Sequence, residues 1–204
     1  TSYTATVTAS DGTNSTTQDI TVNVTNVNDN NPVITSNATF TAAENQTAIG
    51  TVTATDADGD DLTFTVSGSE LEITSAGVLT FATAPDYETK TSYTATVTAS
   101  DGTNTVTQDI TVNVTDANDP PTFTSNATFS AAENQTAIGT VTATDPEGDA
   151  LSFTISGSDI TIVSSTGLLE FASAPDYESQ TSYSATVTVS DGTNSVTQDI
   201  TVNV

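Results

Sequence analysis

One stretch of this sequence occurs three times. TSYTATVTASDGTN opens at Thr1 and again at Thr91, and TSYSATVTVSDGTN opens at Thr181, a spacing of 90 residues. Repetition at a fixed period constrains a fold strongly, because each repeat must then be one structural unit. A second block, SNATF followed by AAENQTAIGTVTATD, spans Ser36 to Asp56 and Ser125 to Asp145, with a spacing of 89. Two one-residue changes account for the slip. NDNNP at 28–32 shortens to NDPP at 118–121, and SAG at 75–77 lengthens to SSTG at 164–167. Both lie in turn chemistry, where insertions cost little. The chain therefore divides into the last two strands of a preceding module (1–24), a linker (25–32), a full module (33–114), a second linker (115–121) and a second full module (122–204).

Within the module at 33–114 the apolar period is two, not 3.6. Leu62, Phe64 and Val66 alternate with threonines, as do Tyr93, Ala95, Val97 and Ala99. Leu71 with Ile73, Leu79 with Phe81, and Ile110 with Val112 and Val114 add three more strands. An opening strand near Val33–Phe40 and one around Val52–Ala54 complete the set. Threonine, valine and isoleucine suit a pleated surface because their branched β-carbons restrict χ1. About seven short strands in ~90 residues predict an all-β fold of tandem Ig-like, seven-stranded Greek-key β-sandwiches. The first 24 residues would form only a hairpin, which is marginal alone in water. The reading favoured for them is a crop from a longer array, the opening at Thr1 without an initiator methionine agreeing with this; the alternative is a hairpin donated to another chain.

Charge then narrows the chemistry. There are 26 acids against one base, Lys90, and no His, Cys, Met or Trp. Thiol nucleophiles, disulfides, Cys/His zinc sites and Ser–His triads are thereby excluded. Nucleic-acid binding needs Lys and Arg to displace counterions, so it is excluded too. No apolar run approaches the ~18 residues of a membrane span. The run Asp56-Ala57-Asp58-Gly59-Asp60-Asp61 is not an EF-hand loop, since Asp61 stands where glycine is needed and Ser67 where the closing glutamate belongs. A carboxylate-pair glycosidase built on Asp86 and Glu88 is disfavoured: the pair recurs in each module, and a chain without Trp offers no evident aromatic sugar cleft.

The acids recur at strand ends, and there the sequence resembles the cadherin repeat in the divergent form of bacterial surface adhesins. The family's E-N pair is matched by Glu44-Asn45 and Glu133-Asn134, and its D-x-D by Asp56-Ala57-Asp58, with Asp145-Pro146-Glu147 in the other module. Its D-x-E is matched by Asp86-Tyr87-Glu88 and Asp176-Tyr177-Glu178, and its A-x-D by Ala99-Ser100-Asp101, with Val189-Ser190-Asp191 lacking the alanine. The linker motif D-x-N-D-N-x-P appears altered, as Asn26-Val27-Asn28-Asp29-Asn30-Asn31-Pro32 and as Asp116-Ala117-Asn118-Asp119-Pro120-Pro121.

The resemblance implies Ca²⁺ bound between successive modules. By carry-over, the junction of the two full modules would use Glu44, Asp86, Glu88 and Asp116 from above, Asn118 and Asp119 from the linker, and Asp145, Glu147 and Asp191 from below. Asn28, Asp29, Asp56, Asp58, Asp101, Glu133, Asp176 and Glu178 are the further metal candidates that the same motifs supply. Independently, so many carboxylates gathered in one place would repel by an amount that rivals a domain's marginal stability. Calcium suits such a site because it accepts six to eight oxygens in flexible geometry.

The function expected is structural: a non-enzymatic stalk or adhesin segment of a bacterial surface protein or extracellular filament, with calcium and neighbouring repeats as its partners. Two alternatives stand beside it. The modules could be the adhesive surface itself, pairing laterally with copies of themselves or binding a glycan, or filament subunits joined end to end by strand exchange.

Overall fold

The computed structural model describes all 204 residues, and every regular element in it is a strand or a turn. The chain forms two compact units. One comprises Thr1–Asp86 with Lys90–Thr115, the other Tyr87–Thr89 with Asp116–Val204.

In the first unit, β1 (Ser2–Ser10) and β2 (Ser15–Asn23) form an antiparallel hairpin. The sandwich after it has two sheets. One is ordered β4 (Thr39–Ala43), β11 (Thr105–Thr115), β10 (Ser92–Ser100) and β7 (Thr63–Val66), with β4 parallel to β11 and the other pairs antiparallel. The other is ordered β5 (Ala48–Thr51), β9 (Val78–Phe81) and β8 (Leu71–Ile73). A short ladder of β3 (Val33–Ile34) and β6 (Ala54–Thr55) continues the track of β5.

The second unit repeats the plan. Its first sheet is β13 (Thr128–Ser130), β20 (Ser195–Asn203), β19 (Ser182–Ser190) and β16 (Ser152–Ile155). Its second is β14 (Ala137–Thr140), β18 (Leu168–Phe171) and β17 (Ile160–Ile162), and β12 (Thr122–Phe123) pairs with β15 (Ala143–Thr144).

Alternation places the cores. Val97, Ala99, Ile110, Val112 and Val114 point inward from β10 and β11 and meet Leu71, Leu79 and Phe81 of the facing sheet. Phe81 and Tyr93 lock edge to face across the two sheets, ring centroids 5.0 Å apart, and Phe171 and Tyr183 do the same at 4.9 Å. The β1–β2 hairpin carries the same inward pattern with nothing over it. Val7 is 51% exposed, while its counterparts Val97 and Val187 are at 0%.

Seven strand tracks are present per module, and two of them are broken. The single opening strand expected over Val33–Phe40 divides into β3 and β4, which pair with different sheets. Ser36 is the crossing point, its N–H and that of Thr35 both donating to the Thr53 carbonyl. The strand expected around Val52–Ala54 likewise divides at buried Val52, whose N–H bonds Gly77 O at 2.8 Å as the last step of the β5–β9 register before β6 turns to β3.

That bond depends on glycine. Gly77 sits at φ +86°, and a β-carbon there would lie 2.2 Å from the Val52 carbonyl oxygen. Gly68, at φ +83°, has no atom within 4 Å of that place. Gly77→Ala is therefore expected to cost at least about 2 kcal/mol, backbone strain adding to a collision with main chain, and Gly68→Ala only about 1 kcal/mol. Urea denaturation of the two variants checks this; equal losses would contradict it.

Candidate metal centre

The acids lie at strand ends because the strands' outward positions are threonines and their inward positions apolar. In the first unit one pole gathers the 25–32 linker, the loop between β6 and β7, and the turn between β10 and β11. That turn is D-G-T-N: Asp101 Oδ1 accepts the N–H groups of Thr103 and Asn104 at 2.7 and 2.5 Å. Asn104 Nδ2 then donates to Asn28 Oδ1 at 3.0 Å, to the Asn30 carbonyl at 3.1 Å and to Asp101 Oδ2 at 3.2 Å. Asp29 accepts from Asn30 Nδ2 at 3.1 Å. Burial works against the charge of Asp101, yet the N–H groups of Asn104 and Thr103 outweigh it and hold its pKa below the ordinary carboxylate value.

Asp56, Asp58 and Asp60 bring carboxylate oxygens within 4.8 Å of one another at this pole. Asp58 is stabilised as an anion, chiefly by the Asn30 backbone N–H and then by the Asn30 side chain, so its pKa is lowered. Asp60 is pushed the other way by burial and by the charges of Asp56 and Asp58. Asp56 Oδ1 accepts the Asp58 N–H at 2.8 Å, while Asp56 Oδ2 and Asp60 Oδ2 are buried without a donor.

The second unit holds a related arrangement. Asp191 Oδ1 accepts from Thr193 and Asn194, both at 2.6 Å, and Asn118 Nδ2 donates to Asp191 Oδ2 at 2.9 Å. Asn194 Nδ2 donates to the Asn118 carbonyl at 3.0 Å. Asp145 Oδ1 accepts the Asp149 N–H, and its Oδ2 is buried without a donor. Neither buried oxygen of Glu147 has a donor in hydrogen-bonding geometry. Burial raises the Glu147 pKa and the charges of Asp145 and Asp119 add to the rise, while the N–H groups of Glu147 itself and of Asp119, nearby but outside hydrogen-bonding geometry, offset it only in part. Glu88, Asp119 and Glu147 approach one another within 4.8 Å.

The remaining candidates lie elsewhere. Glu44 is buried where β4 ends, its N–H donating to the Thr115 carbonyl at the close of β11, and Asp116 follows directly. The whole length of β11 separates this end from Asp101, so Glu44 and the trio of Asp56, Asp58 and Asp60 occupy opposite poles. The Asp86 carbonyl accepts the Lys90 N–H in the loop before β10. Glu133, Asp176 and Glu178 form an exposed trio within 4.8 Å, tied by the Ser179 hydroxyl to Asp176 Oδ2 at 2.8 Å. The E-N pairs have a local cause: Asn45 and Asn134 adopt φ near +60°, and their N–H groups donate to Pro85 and Pro175 carbonyls.

Two contributors escape the family motifs, Asp60 and Asn104 with its counterpart Asn194, and a third, Asn30, lies in the linker motif but outside the set of candidate ligands. The thrice-repeated D-G-T-N and the Asp56-x-Asp58-x-Asp60 alternation were the signals for the first two. The arrangement fits a hard divalent cation. All candidate ligand atoms are oxygens, and five carboxylate oxygens, on Asp56, Asp60, Asp145 and Glu147, are buried without donors. The one ammonium is engaged elsewhere, with Lys90 Nζ 2.5 Å from Glu70 and 4.2 Å above the Tyr93 ring.

A pH dependence follows. Asp58 and Asp101, with lowered pKa values, contribute stability that is present above the ordinary carboxylate range and lost as pH falls through their folded values. Asp60 and Glu147, with raised values, cost stability at neutral pH, and that cost is relieved as pH falls through them. In chelator the melting temperature should therefore rise on mild acidification and fall below about pH 4. The double variant Asp60→Asn, Glu147→Gln should show a smaller rise in a melting series over pH; an unchanged rise would contradict the assignment.

The sequence pattern described as the bacterial Ig domain matches residues 28–115 and 118–203. The chain is 31% identical over 194 residues to the Cadherin EGF LAG seven-pass G-type receptor 1 of Mus musculus, covering 84% of this chain and 6% of that protein. It is 37% identical over 155 residues to Chitinase A of Pseudoalteromonas piscicida, covering 74% and 18%. The chain thus spans less than a fifth of the length of either relative. Among solved structures, human Protocadherin-24 EC1-2 Form II superposes with TM-score 0.58 at 20% identity, over 84% of this chain and 96% of that one. Mouse Cadherin-23 EC22-24 gives 0.52 at 22%, over 99% and 73%. These likenesses show the fold.

Proposed function

The chain belongs to the bacterial Ig domain family, with modules built as cadherin-like repeats, and from that premise we propose that it is a structural segment of an extracellular stalk, adhesin or filament stiffened by calcium. The observation that supports this is the set of buried carboxylate oxygens without donors, gathered with further acids and amide carbonyls at module poles. A bound cation would supply charge neutralisation at those oxygens. The chain's own residues do the rest: the sandwich cores hold the loops, the D-G-T-N turns fix the linkers, and threonine-faced strands keep the exterior hydrated.

The ligand assignment carried by this reading is Glu44, Asp86, Glu88 and Asp116 with Asn118 and Asp119 of the linker and Asp145, Glu147 and Asp191 beyond it. Asn28, Asp29, Asp56, Asp58 and Asp101 are the upstream set, joined by Asp60, and Glu133, Asp176 and Glu178 the downstream one. The site is extracellular in this account because modules of this kind hold calcium at about 10⁻⁴–10⁻³ M, a level a cytosol does not reach. The repeats act mechanically and not as a catalyst; in the relative named as a chitinase they correspond to less than a fifth of the chain.

Isothermal titration is expected to show calcium binding in the high-micromolar to millimolar range, with magnesium a poor substitute. Asp119→Ala is expected to weaken at least one site about tenfold or more while both sandwiches stay folded by circular dichroism. Unchanged affinity in that variant would contradict the ligand assignment.

A further inference from the structure

The two linkers meet the modules that follow them in different ways, and the difference lies in one pair of positions. In the first unit Asp58 is wrapped by the linker. The N–H groups of Asp29 and Asn30 donate to its Oδ2 at 3.0 and 2.9 Å, and Asn30 Nδ2 donates to its Oδ1 at 2.9 Å. Asn26 Nδ2 donates to the Asp58 backbone carbonyl at 2.9 Å. Both carboxylate oxygens thus receive donors from the linker, and bonds to a charged acceptor are the stronger kind.

In the second unit the aligned residues cannot do this. Pro120 stands where Asn30 does, so a backbone N–H and a side-chain amide are both lost. Glu147 stands in place of Asp58, and its two buried oxygens have no donor in hydrogen-bonding geometry. A tie between the turn and the linker is kept in altered form: Asn194 Nδ2 donates to the Asn118 carbonyl and Asn118 Nδ2 to Asp191, where Asn104 Nδ2 donates to the Asn28 side-chain oxygen. The poles differ elsewhere too, with Asp116 for Asn26, Pro146 for Ala57 and a linker one residue shorter, but the donors to the carboxylate itself come from Asp29 and Asn30.

We propose that Asp58 is a positioning residue, a built-in clasp that orders the 25–32 linker on the sandwich without any cation, whereas the Glu147 pole lacks that clasp. The division has a consequence for an array of such modules. A junction with the Asp58–Asn30 pair keeps its linker ordered when calcium is scarce. A junction with the Glu147–Pro120 pair depends on whatever neutralises Glu147, and in that half the inference rests on the calcium reading above. Repeats of nearly identical sequence would then differ in stiffness at low calcium through a few changes in the linker and the loop it meets.

Amide exchange by NMR on the whole chain in chelator tests the clasp. The Asn30 amide is expected to exchange at least about tenfold more slowly than in an unstructured peptide. Asp58→Ala should remove that protection while amides of β10 and β11 keep theirs. If the alanine variant also loses strand protection, Asp58→Asn, which keeps one acceptor oxygen, takes its place with a several-fold loss expected. An Asn30 amide unprotected in wild-type chain, or equally protected without the Asp58 carboxylate, overturns the proposal. Calcium titration of the same samples separates the two readings. A chain that binds no calcium yet protects Asn30 refutes the calcium stalk and leaves the clasp standing; calcium binding with an unprotected Asn30 does the reverse.

Discussion

Repulsion among carboxylates is the constraint on which this architecture turns. A chain with 26 acids and one base cannot pair its charges internally, and the one ammonium sits on Glu70 in a solvent-exposed pair of little energetic weight. Each acid must therefore find water, a backbone N–H, a neutral side-chain donor or a cation. The D-G-T-N turns show the second solution, three times over: Asp11, Asp101 and Asp191 each accept N–H groups two and three residues ahead. Asp60 and Glu147 have none of these in full, being half-buried with enclosed oxygens, Asp60 Oδ2 and both of Glu147, that no donor meets. Those are the places where a divalent cation changes the balance most.

The sandwich makes this concentration of charge possible. Alternating threonine and apolar side chains give β10 and β11 one dry face and one wet face, and the dry faces close on Leu79 and Phe81 to form the core. Nothing in that core requires a charge. The loops are then left to carry acids at both poles, the linker entering at one and Glu44 standing at the other.

Much of this was legible in the residues. Period-two alternation located β7, β8, β9, β10 and β11, and the buried positions Phe64, Val97, Ile110 and Val112 are those the alternation marks. The breaks in the first two tracks were not legible. Whether Val33–Ile34 and Thr39–Ala43 share a sheet depends on which carbonyl Ser36 finds, a long-range bond with no local signature. Asp60 was hidden for a different reason: on an exposed loop a third acid reads as solvated, and only the folded pole shows that its Oδ2 is enclosed. The role of Asn30 was hidden in the same way, since its three bonds reach across to Asp58 and Asn104, 28 and 74 residues away in sequence. The motif spacing points to the right loops, and the geometry distinguishes a carboxylate that clasps a linker from one that lacks a donor.

Small-angle X-ray scattering of the whole chain, in millimolar calcium and again in chelator, tests the central claim most directly. The account predicts a stiffer, more extended particle in calcium that becomes flexible in chelator, with each sandwich remaining folded. Superimposable profiles in the two conditions would contradict it, and would leave the acids as a hydrating coat on a chain whose stiffness owes nothing to metal.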